Sequence, residues 1–386
     1  MLLHSLKMTN VLSFGPDSPA LELGPLNVLI GPNGSGKSNL LDGIALLQAA
    51  PKDMVSVIRE GGGVRDWLWK GASGTPTASV EAVVDNPKGS MPLRHVLSFT
   101  ESALRFQLVN ERIENQNPHP GEGEPDFYYR HGPSTPILNV KGQKQKLRDT
   151  LDLEQSILSQ RKDPAQYPEI TYLGEIYARI RFYREWSMGR QTPPRLPQKP
   201  DLPNDILTTD GQNLGMVLNR LRREPAAKKR ILETLRDFYE GIDDYDVSIE
   251  GGTVQLFLQE GRMTIPATRL SDGTLRFLCL LAILCHPTPP PLICIEEPEL
   301  GFHPDVLNTL AQLMIEASDR TQLVVTTHSD ILIDALSDMP EAVIVCEKVG
   351  DSTQTKRLDR KELDDWLKRY SLGEIWRMGE IGGKRW

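Results

Sequence analysis

Residues 31–38 read GPNGSGKS, and they follow the apolar run LNVLI of residues 26–30. The stretch matches the pattern G-x-x-x-x-G-K-[ST], in which a glycine-rich turn leads from a strand into a helix. The next segment, SNLLDGIALLQ (residues 38–48), has apolar residues at helical spacing. The glycines let backbone N–H groups approach phosphate oxygens, while the lysine and the hydroxyl serve phosphate and Mg²⁺. The stretch therefore predicts an α/β domain that binds a nucleoside triphosphate.

The expected contacts of this phosphate loop, residues 31–38, can be assigned one by one. Lys37 supplies positive charge to the phosphates, and Ser38 holds Mg²⁺. The nucleotide is expected to contact Asn33, Gly34, Ser35, Gly36, Lys37, Ser38 and Asn39. A glycine turn that binds no ligand is the alternative, and the strand before the loop and the helix after it weigh against that alternative.

A second group of candidate residues lies in PLICIEEPELGFHP, residues 291–304. The apolar run 292–295 is typical of a strand that is covered on both faces, and it ends in Glu296 and Glu297. Two carboxylates at the tip of a buried strand are unfavourable unless they hold a metal ion or a water molecule. We expect Glu296 to bind Mg²⁺, and Glu297 to orient or deprotonate the attacking water. Two surface glutamates at a strand end are the alternative.

Two further stretches can contact phosphate. QLVVTTHSDIL (residues 322–332) places His328 at the tip of another apolar run, where it can donate a hydrogen bond to the γ-phosphate. RLSDGTLRFLCLLAIL (residues 269–284) places Ser271 and Gly273 before an apolar helix. A serine at that position is either an ordinary helix N-cap or part of an anion-binding helix start.

Together these stretches resemble an ATP-binding-cassette (ABC) ATPase. GPNGSGKS resembles the Walker A loop, LSDGT the signature loop, ICIEEPE the Walker B strand, ELGFHP the D-loop and TTHS the switch histidine, in the order of that family. The opening LNVLIGPNGSGKSNLLDGI is similar to the ATPase heads of the SMC, RecF and OLD group. The gap between Lys37 and Ser271 is longer than in a transporter cassette and shows no heptads of a coiled coil.

The resemblance implies a site that needs two chains. In such ATPases the signature serine of one subunit contacts the γ-phosphate held by the Walker A loop of the other. We therefore expect an ATP-dependent head-to-tail homodimer around two ATP molecules, with Glu297 and His328 as catalytic residues and Ser38 and Glu296 at the metal. Ser271 and Gly273 are expected to contact the nucleotide. The glutamine that senses magnesium in many cassettes has no clear position, because Gln48 lies too close to the phosphate loop and Gln107 is the other candidate. Arg59 and Arg65 lie where SMC-like heads often carry an arginine that contacts phosphate, and ordinary surface arginines are the favoured alternative.

The pattern along the chain predicts a P-loop NTPase of ABC type with a mixed central sheet, an antiparallel lobe and a helical insertion. Residues 1–110 and 206–386 are expected to form the two parts of the ATPase head, and residues 111–205 an inserted lid of short helices. Strands are expected over residues 77–115, helices within 145–161 and 174–188, and a hairpin after residue 342. The segment after residue 336 is short, so we expect no Toprim nuclease domain of the kind found in OLD proteins.

Composition narrows the class of protein. The net charge of −8 disfavours general DNA binding, although 141–148 and 219–230 are basic and form either local patches or solvated faces. Cys279, Cys285, Cys294 and Cys346 form no C-x-x-C pair, and we expect buried free thiols. There is no run of 18 apolar residues and no signal-peptide pattern, so we expect a cytoplasmic protein without a membrane partner.

Three functions are compatible with these residues. The favoured one is an ATP-hydrolysing switch that acts with DNA or with a separate effector protein, as in DNA repair or anti-phage defence. The ATP-binding subunit of a membrane transporter is the second, and the long gap before the signature loop argues against it. The third is a regulatory module that binds ATP without hydrolysis. The pair Glu296 and Glu297 favours hydrolysis over this third function.

Overall fold

The computed structural model of the chain describes residues 1–132, 135–140, 143–147, 151–152 and 154–383. These residues form two compact units. The first unit comprises the described residues of 1–180, 341–359 and 379–386. The second unit comprises residues 181–340 and 360–378. Each unit is therefore assembled from segments that are far apart in the sequence.

Strands occur throughout the chain. They are β1 (Leu3–Thr9), β2 (Leu21–Glu22), β3 (Leu26–Ile30), β4 (Ala78–Val84), β5 (Leu93–Ser102), β6 (Arg105–Asn115), β7 (Phe127–His131), β8 (Ile137–Val140), β9 (Gln143–Lys146), β10 (Arg181–Tyr183), β11 (Ile242–Glu250), β12 (Thr253–Glu260), β13 (Met263–Pro266), β14 (Leu292–Glu296), β15 (Gln322–Thr326), β16 (Val343–Val349) and β17 (Ser352–Arg357).

Helices lie between these strands and after them. They are α1 (Lys37–Ala49), α2 (Met54–Glu60), α3 (Val64–Trp67), α4 (Ile157–Gln160), α5 (Pro168–Ala178), α6 (Leu214–Leu221), α7 (Pro225–Phe238), α8 (Asp272–Leu284), α9 (Pro304–Ser318), α10 (Asp330–Asp334), α11 (Arg360–Leu367) and α12 (Leu372–Met378). None of the helices in the described residues is long and apolar enough to cross a lipid bilayer.

The first unit is built around an antiparallel sheet in the order β2-β1-β4-β5-β6-β7-β8-β9. Residues on β4 alternate between buried and half-buried over its first part, as the sequence indicates for strands over 77–115. Strand β3 is buried at every residue and pairs in parallel with β16, which pairs antiparallel with β17. The hairpin expected after residue 342 is therefore confirmed.

The second unit contains parallel strands in the order β10-β14-β15 and an antiparallel sheet of β11, β12 and β13. Strand β15 is buried throughout and β14 is buried up to Glu296. This burial agrees with the apolar runs in their sequences, which are typical of strands covered on both faces. Parallel strands end at the same edge of a sheet, so the residues that follow β10, β14 and β15 lie side by side. The mixed α/β class with an antiparallel lobe is confirmed.

The span 111–205 contains more strand than the sequence suggests. Strands β7, β8 and β9 extend the antiparallel sheet. The helix expected within 145–161 is reduced to α4, with 148–150 and 153 outside the described residues. A helix over 174–188 is wrong beyond Ala178, because Phe182 and Tyr183 pack as buried residues of β10. Tertiary packing overrides helical spacing there. The domain boundaries at 110 and 205 stay a prediction.

Candidate functional site

The phosphate loop of the first unit depends on glycines with left-handed backbone. Gly31, Gly34 and Gly36 have φ values of 145°, 76° and 98°. A Cβ atom at Gly31 would lie 2.1 Å from the carbonyl oxygen of Cys346, and one at Gly36 would lie 2.3 Å from Thr353 Oγ1. A Cβ atom at Gly34 would meet nothing within 4 Å. The loop is therefore packed on one side by the β16–β17 hairpin and open at its tip.

The polar groups of the loop suit an anion. Lys37 is only 7% exposed, and its Nζ donates to the carbonyl oxygens of Gly31, at 2.7 Å, and Pro32, at 3.0 Å. Ser35 Oγ is buried and has no hydrogen-bond partner among the described residues. A buried ammonium, an unbonded hydroxyl and a helix start together form a site that favours phosphate. A nucleoside triphosphate therefore fits the residues that are present.

The remaining predicted loop residues differ in their surroundings. Asn33, Gly34 and Ser38 are exposed, as a ligand contact requires. Asn39 instead donates from Nδ2 to Ser13 Oγ at 2.7 Å, so its amide is engaged with the residues that support the loop. Its contact with the nucleotide stays a prediction.

The phosphate loop is supported by hydrogen bonds from Ser13 and Thr353, which the sequence does not indicate. The Thr353 hydroxyl lies 2.7 Å from Ser13 Oγ and 3.0 Å from the carbonyl oxygen of Ser35. The Thr353 backbone N–H donates to the Ser13 carbonyl oxygen at 2.7 Å. Residues so distant in sequence carry no local signal of this contact. Only the structure could have identified Ser13 and Thr353 as supporting residues.

These contacts form a brace of residues 13, 35, 36 and 353 around the base of the phosphate loop. Because a Cβ atom at Gly36 would also lie 2.7 Å from Ser13 Oγ, the brace leaves no space for a side chain at that position. The geometry of the loop is thus fixed in part by Ser13 and Thr353, which lie outside the motif itself.

The carboxylate pair, Glu296 and Glu297, lies at the end of β14 in the second unit. Glu297 has a φ of 43°, a left-handed conformation that is uncommon for a residue with a side chain. Its backbone N–H donates to the carbonyl oxygen of Thr326 at 3.0 Å, and its Oε1 lies 3.6 Å from His328 Nε2. The structure thus brings the predicted catalytic residues Glu297 and His328 together. Residues kept in such backbone conformations cluster at functional sites.

Glu296 presents a carboxylate oxygen that suits a metal ion or its water. Its Oε1 is buried without a hydrogen-bond partner among the described residues, 4.0 Å from Arg184 Nε. The described residues hold no group of three or more His, Cys, Asp or Glu side chains that could bind a metal ion. Mg²⁺ commonly takes one or two carboxylates and completes its shell with water and substrate phosphates. Glu296 fits that kind of site.

Glu299 is a residue of the candidate site that the sequence analysis missed. It accepts hydrogen bonds from Thr327 Oγ1 at 2.7 Å and from the His328 backbone N–H at 2.8 Å, and it therefore sets the position of His328. Burial raises the pKa of its carboxyl group, and these two hydrogen bonds oppose that effect. The signal available in the sequence was a third glutamate directly after the carboxylate pair and its proline.

The signature loop, residues 270–274, begins α8. Ser271 Oγ accepts a hydrogen bond from the Thr274 backbone N–H at 3.0 Å, so the N-cap is confirmed, and this leaves the anion-binding role a prediction. A Cβ atom at Gly273 would lie 3.3 Å from the carbonyl oxygen of Gly301, so the D-loop, residues 299–304, approaches closely. Arg276 on α8 donates to the Leu300 carbonyl oxygen of that loop.

Arg195 is a buried residue that the sequence analysis did not identify, and it contacts the signature loop. Arg195 is 7% exposed, pairs with Asp272 and donates to the carbonyl oxygen of Met188 at 3.2 Å. It also donates to the carbonyl oxygen of Leu270. The proline-rich segment that contains Arg195 is thereby attached to the residues on both sides of Ser271.

Two of the residues whose role the sequence leaves open, Gln48 and Arg65, have partners within the first unit. Gln48 Nε2 donates to the Ile180 carbonyl oxygen at 2.8 Å, and Arg65 Nε lies 2.7 Å from Glu101 Oε2. In the basic stretch 219–230, acidic side chains pair with Arg222, Lys228 and Arg230. The positive charge of the stretch is therefore partly neutralised. In the other basic stretch, 143–146 form the exposed β9, and 141, 142 and 148 lie outside the described residues.

Comparison with known proteins adds a family and a fold. The sequence family described as "AAA domain, putative AbiEii toxin, Type IV TA system" matches residues 26–334. A comparison with curated proteins returns no match. The solved structures described next are less than 25% identical to this chain, so they show similarity of fold alone.

Three of the similar solved structures are SMC heads. The SMC head bound to the C-winged helix domain of ScpA has 13% identity and a TM-score of 0.59, over 94% of this chain and 99% of that chain. The SMC head with an extended coiled coil, bound to the C-terminal domain of ScpA and derived from Pyrococcus furiosus, has 11% identity and a TM-score of 0.58, over 95% and 99%. The SMC head with a coiled coil and joint from Pyrococcus yayanosii has 11% identity and a TM-score of 0.52, over 95% and 99%.

The resemblance to an ABC-type ATPase head of the SMC-like group is thus confirmed at the level of fold. Because residues 26–334 are most of the chain, this protein belongs to the family of AAA domains described as "AAA domain, putative AbiEii toxin, Type IV TA system".

Proposed function

We propose that this chain binds ATP with Mg²⁺, hydrolyses it, and uses the cycle to switch between a monomer and a head-to-tail homodimer. The observation that carries the proposal is the strand end at which Glu297, in left-handed backbone, lies 3.6 Å from His328. At this separation a carboxylate and an imidazole can both hydrogen-bond to one water molecule that lies beside them. An ordinary strand end has no reason to keep a glutamate in that conformation.

Each residue has a role in the proposed reaction. Lys37 exchanges its carbonyl partners for phosphate oxygens, and the loop N–H groups orient the nucleotide. Glu297 orients the attacking water and accepts its proton, while His328 donates to the γ-phosphate. Ser38 and Glu296 would hold Mg²⁺, which would supply positive charge to the phosphates. Glu299 keeps the His328 backbone in place.

The homodimer follows from Ser271 and Gly273, which we propose contact the nucleotide of the second chain. Ser271 is exposed, and Arg195, Asp272 and Arg276 hold the surrounding loop against its neighbours. A loop that is exposed and held rigidly can contact a partner with little loss of conformational entropy. Closed dimers in which each subunit gives the same surface to the other are the commonest oligomers.

We further propose that the switch acts in DNA repair or anti-phage defence through a separate effector protein. Pairing of Arg222, Lys228 and Arg230 with acidic side chains weighs against DNA binding by that stretch. One similar SMC head was crystallised with a domain of ScpA, which is a precedent for a protein partner on this fold. DNA binding elsewhere on the chain is the alternative for this part of the proposal.

The test is the solution mass of the Glu297→Gln protein, with and without ATP and Mg²⁺. A variant that binds ATP without hydrolysing it is expected to shift from one chain to two on adding ATP. Glu297→Gln combined with Ser271→Arg is the matched variant, and it is expected to bind ATP and remain a single chain. A dimer that forms equally with Arg at position 271 would contradict the role of the signature loop. Parental rates of phosphate release in Glu297→Gln would contradict the role of Glu297.

A further inference from the structure

Arg184 occupies a position beside Glu296 that the sequence alone does not reveal. Strand β10 pairs in parallel with β14, and the last register pair joins Tyr183 to Ile295. The next residue of each strand is therefore Arg184 on one side and Glu296 on the other. Arg184 Nε lies 4.0 Å from Glu296 Oε1, and the two side chains are 27% and 21% exposed.

The segment that follows β10 is attached to the same strand end by a second contact. Trp186 Nε1 donates to the backbone carbonyl oxygen of Glu296 at 3.1 Å. The Arg184 guanidinium lies over the Phe182 ring at 4.9 Å, so its approach to the carboxylate is limited by packing. Arg184 is thus a half-buried cation held beside a carboxylate oxygen that has no hydrogen-bond partner among the described residues.

We propose that Arg184 is the resident counter-ion of Glu296 and that Mg²⁺ must compete with it for that carboxylate. The inference rests on the proposed function, in which Glu296 receives the magnesium that accompanies ATP. A guanidinium balances the negative charge of Glu296 before magnesium arrives, and it repels a second cation afterwards. Arg184 therefore sets how much free Mg²⁺ the protein needs before it binds nucleotide fully.

This role depends on the charge of residue 184. Arg184→Gln removes the charge and keeps a polar side chain, so Mg²⁺ meets an uncompensated carboxylate. Arg184→Lys keeps the positive charge and is expected to need nearly the same Mg²⁺ concentration as the parent, because the proposed competition depends on charge. Arg190→Gln makes the same neutralisation at an exposed position of the same segment and is the matched control.

The experiment measures the affinity of the full chain for a fluorescent, non-hydrolysable ATP analogue over a series of free Mg²⁺ concentrations. Arg184→Gln is expected to lower the Mg²⁺ concentration at half-maximal binding by about tenfold, because one nearby charge changes ionic affinity by about that factor. Arg184→Lys and Arg190→Gln are expected to stay within about twofold of the parent. An unchanged or higher Mg²⁺ requirement in Arg184→Gln would overturn the proposal.

A ligand-free measurement separates this inference from the proposed function. Urea midpoints of Arg184→Gln, Glu296→Gln and the double variant form a thermodynamic cycle. The double variant is expected to lose less than the sum of the two single losses, whereas additive losses would overturn the counter-ion pairing alone. A parent chain that binds no analogue at any Mg²⁺ concentration would overturn the proposed function, and this inference with it, even if the cycle shows coupling.

Discussion

The phosphate loop and the carboxylate pair both contain residues with left-handed backbone, but these residues are glycines in the loop and a glutamate in the pair. Both follow a buried strand and both turn through left-handed φ values, 145°, 76° and 98° at glycines in one and 43° at Glu297 in the other. Glycine adopts such values without a steric penalty, whereas a glutamate does so at a cost of about 1–2 kcal/mol. The phosphate loop therefore turns where side chains are absent, whereas the end of β14 turns at a residue that keeps its carboxylate, at that cost in stability.

The largest loss of stability among these predictions is expected at Gly36, where the phosphate loop is closely packed against the β16–β17 hairpin. Gly36→Ala places a Cβ atom 2.3 Å from Thr353 Oγ1 at a φ of 98°. We expect a loss of about 3 kcal/mol in the free energy of unfolding, with nucleotide binding lost as well. Gly34→Ala is the matched control, because its Cβ atom meets nothing within 4 Å, and about 1 kcal/mol is expected there. Urea unfolding and binding of a fluorescent ATP analogue measure both, and equal losses at the two positions would refute the packing argument.

At the carboxylate pair, a smaller change is expected in the free energy of unfolding, and it is an increase rather than a loss. Glu297→Gly relieves the left-handed backbone, so we expect the free energy of unfolding to rise by about 1 kcal/mol. Glu297→Gln keeps the strain and is expected to stay within about 0.5 kcal/mol of the parent. Both variants should lose hydrolysis by about 100-fold or more, because the base is absent. Thermal unfolding and phosphate release measure the two properties, and a glycine variant no more stable than the glutamine variant would show that the strain is absent.

The smallest effect concerns the pH dependence set by Glu299. Burial raises the pKa of this carboxyl group above its ordinary value of 4.5, so the folded state keeps a proton that the unfolded state loses. The free energy of unfolding therefore falls as pH rises from about 4.5 through the raised pKa. Glu299→Gln removes that fall, and its stability relative to the parent should grow over this range by about 1 kcal/mol or less.

Urea midpoints at a series of pH values measure this difference. Glu250→Gln, the same change at an exposed position, serves as the control. A difference between Glu299→Gln and the parent that stays constant over pH would show that desolvation of Glu299 has no effect on folding.

Much of the site was predictable because its residues lie in short, contiguous motifs at strand ends. GPNGSGKS, the pair Glu296 and Glu297, and TTHS each follow an apolar run, and a motif after a buried strand determines its own local structure. Sequence also sufficed for the meander of β4, β5 and β6 and for the β16–β17 hairpin, where strand patterns and turn residues agree.

The residues that were missed act over long sequence distances or in short strands. Ser13 and Thr353 meet only in the folded chain, and Arg195 reaches Asp272 across 77 positions. Strand β10 has three residues and follows closely on α5, so its spacing could not be separated from a continuing helix. That ambiguity also concealed Arg184, because its position is defined by the strand partner β14.

The brace under the phosphate loop has a consequence for synthesis of the chain. The contact between Thr353 and Ser35 spans 318 positions of the sequence. A ribosome adds about 5–20 residues per second, so on the order of 15–60 s separates translation of the motif from translation of its support. During that interval the nascent chain carries the whole GPNGSGKS sequence without the hairpin that packs against it. A polypeptide that ends before Thr353 would keep the whole GPNGSGKS motif but would never form the contacts of Thr353 with Ser13 and Ser35.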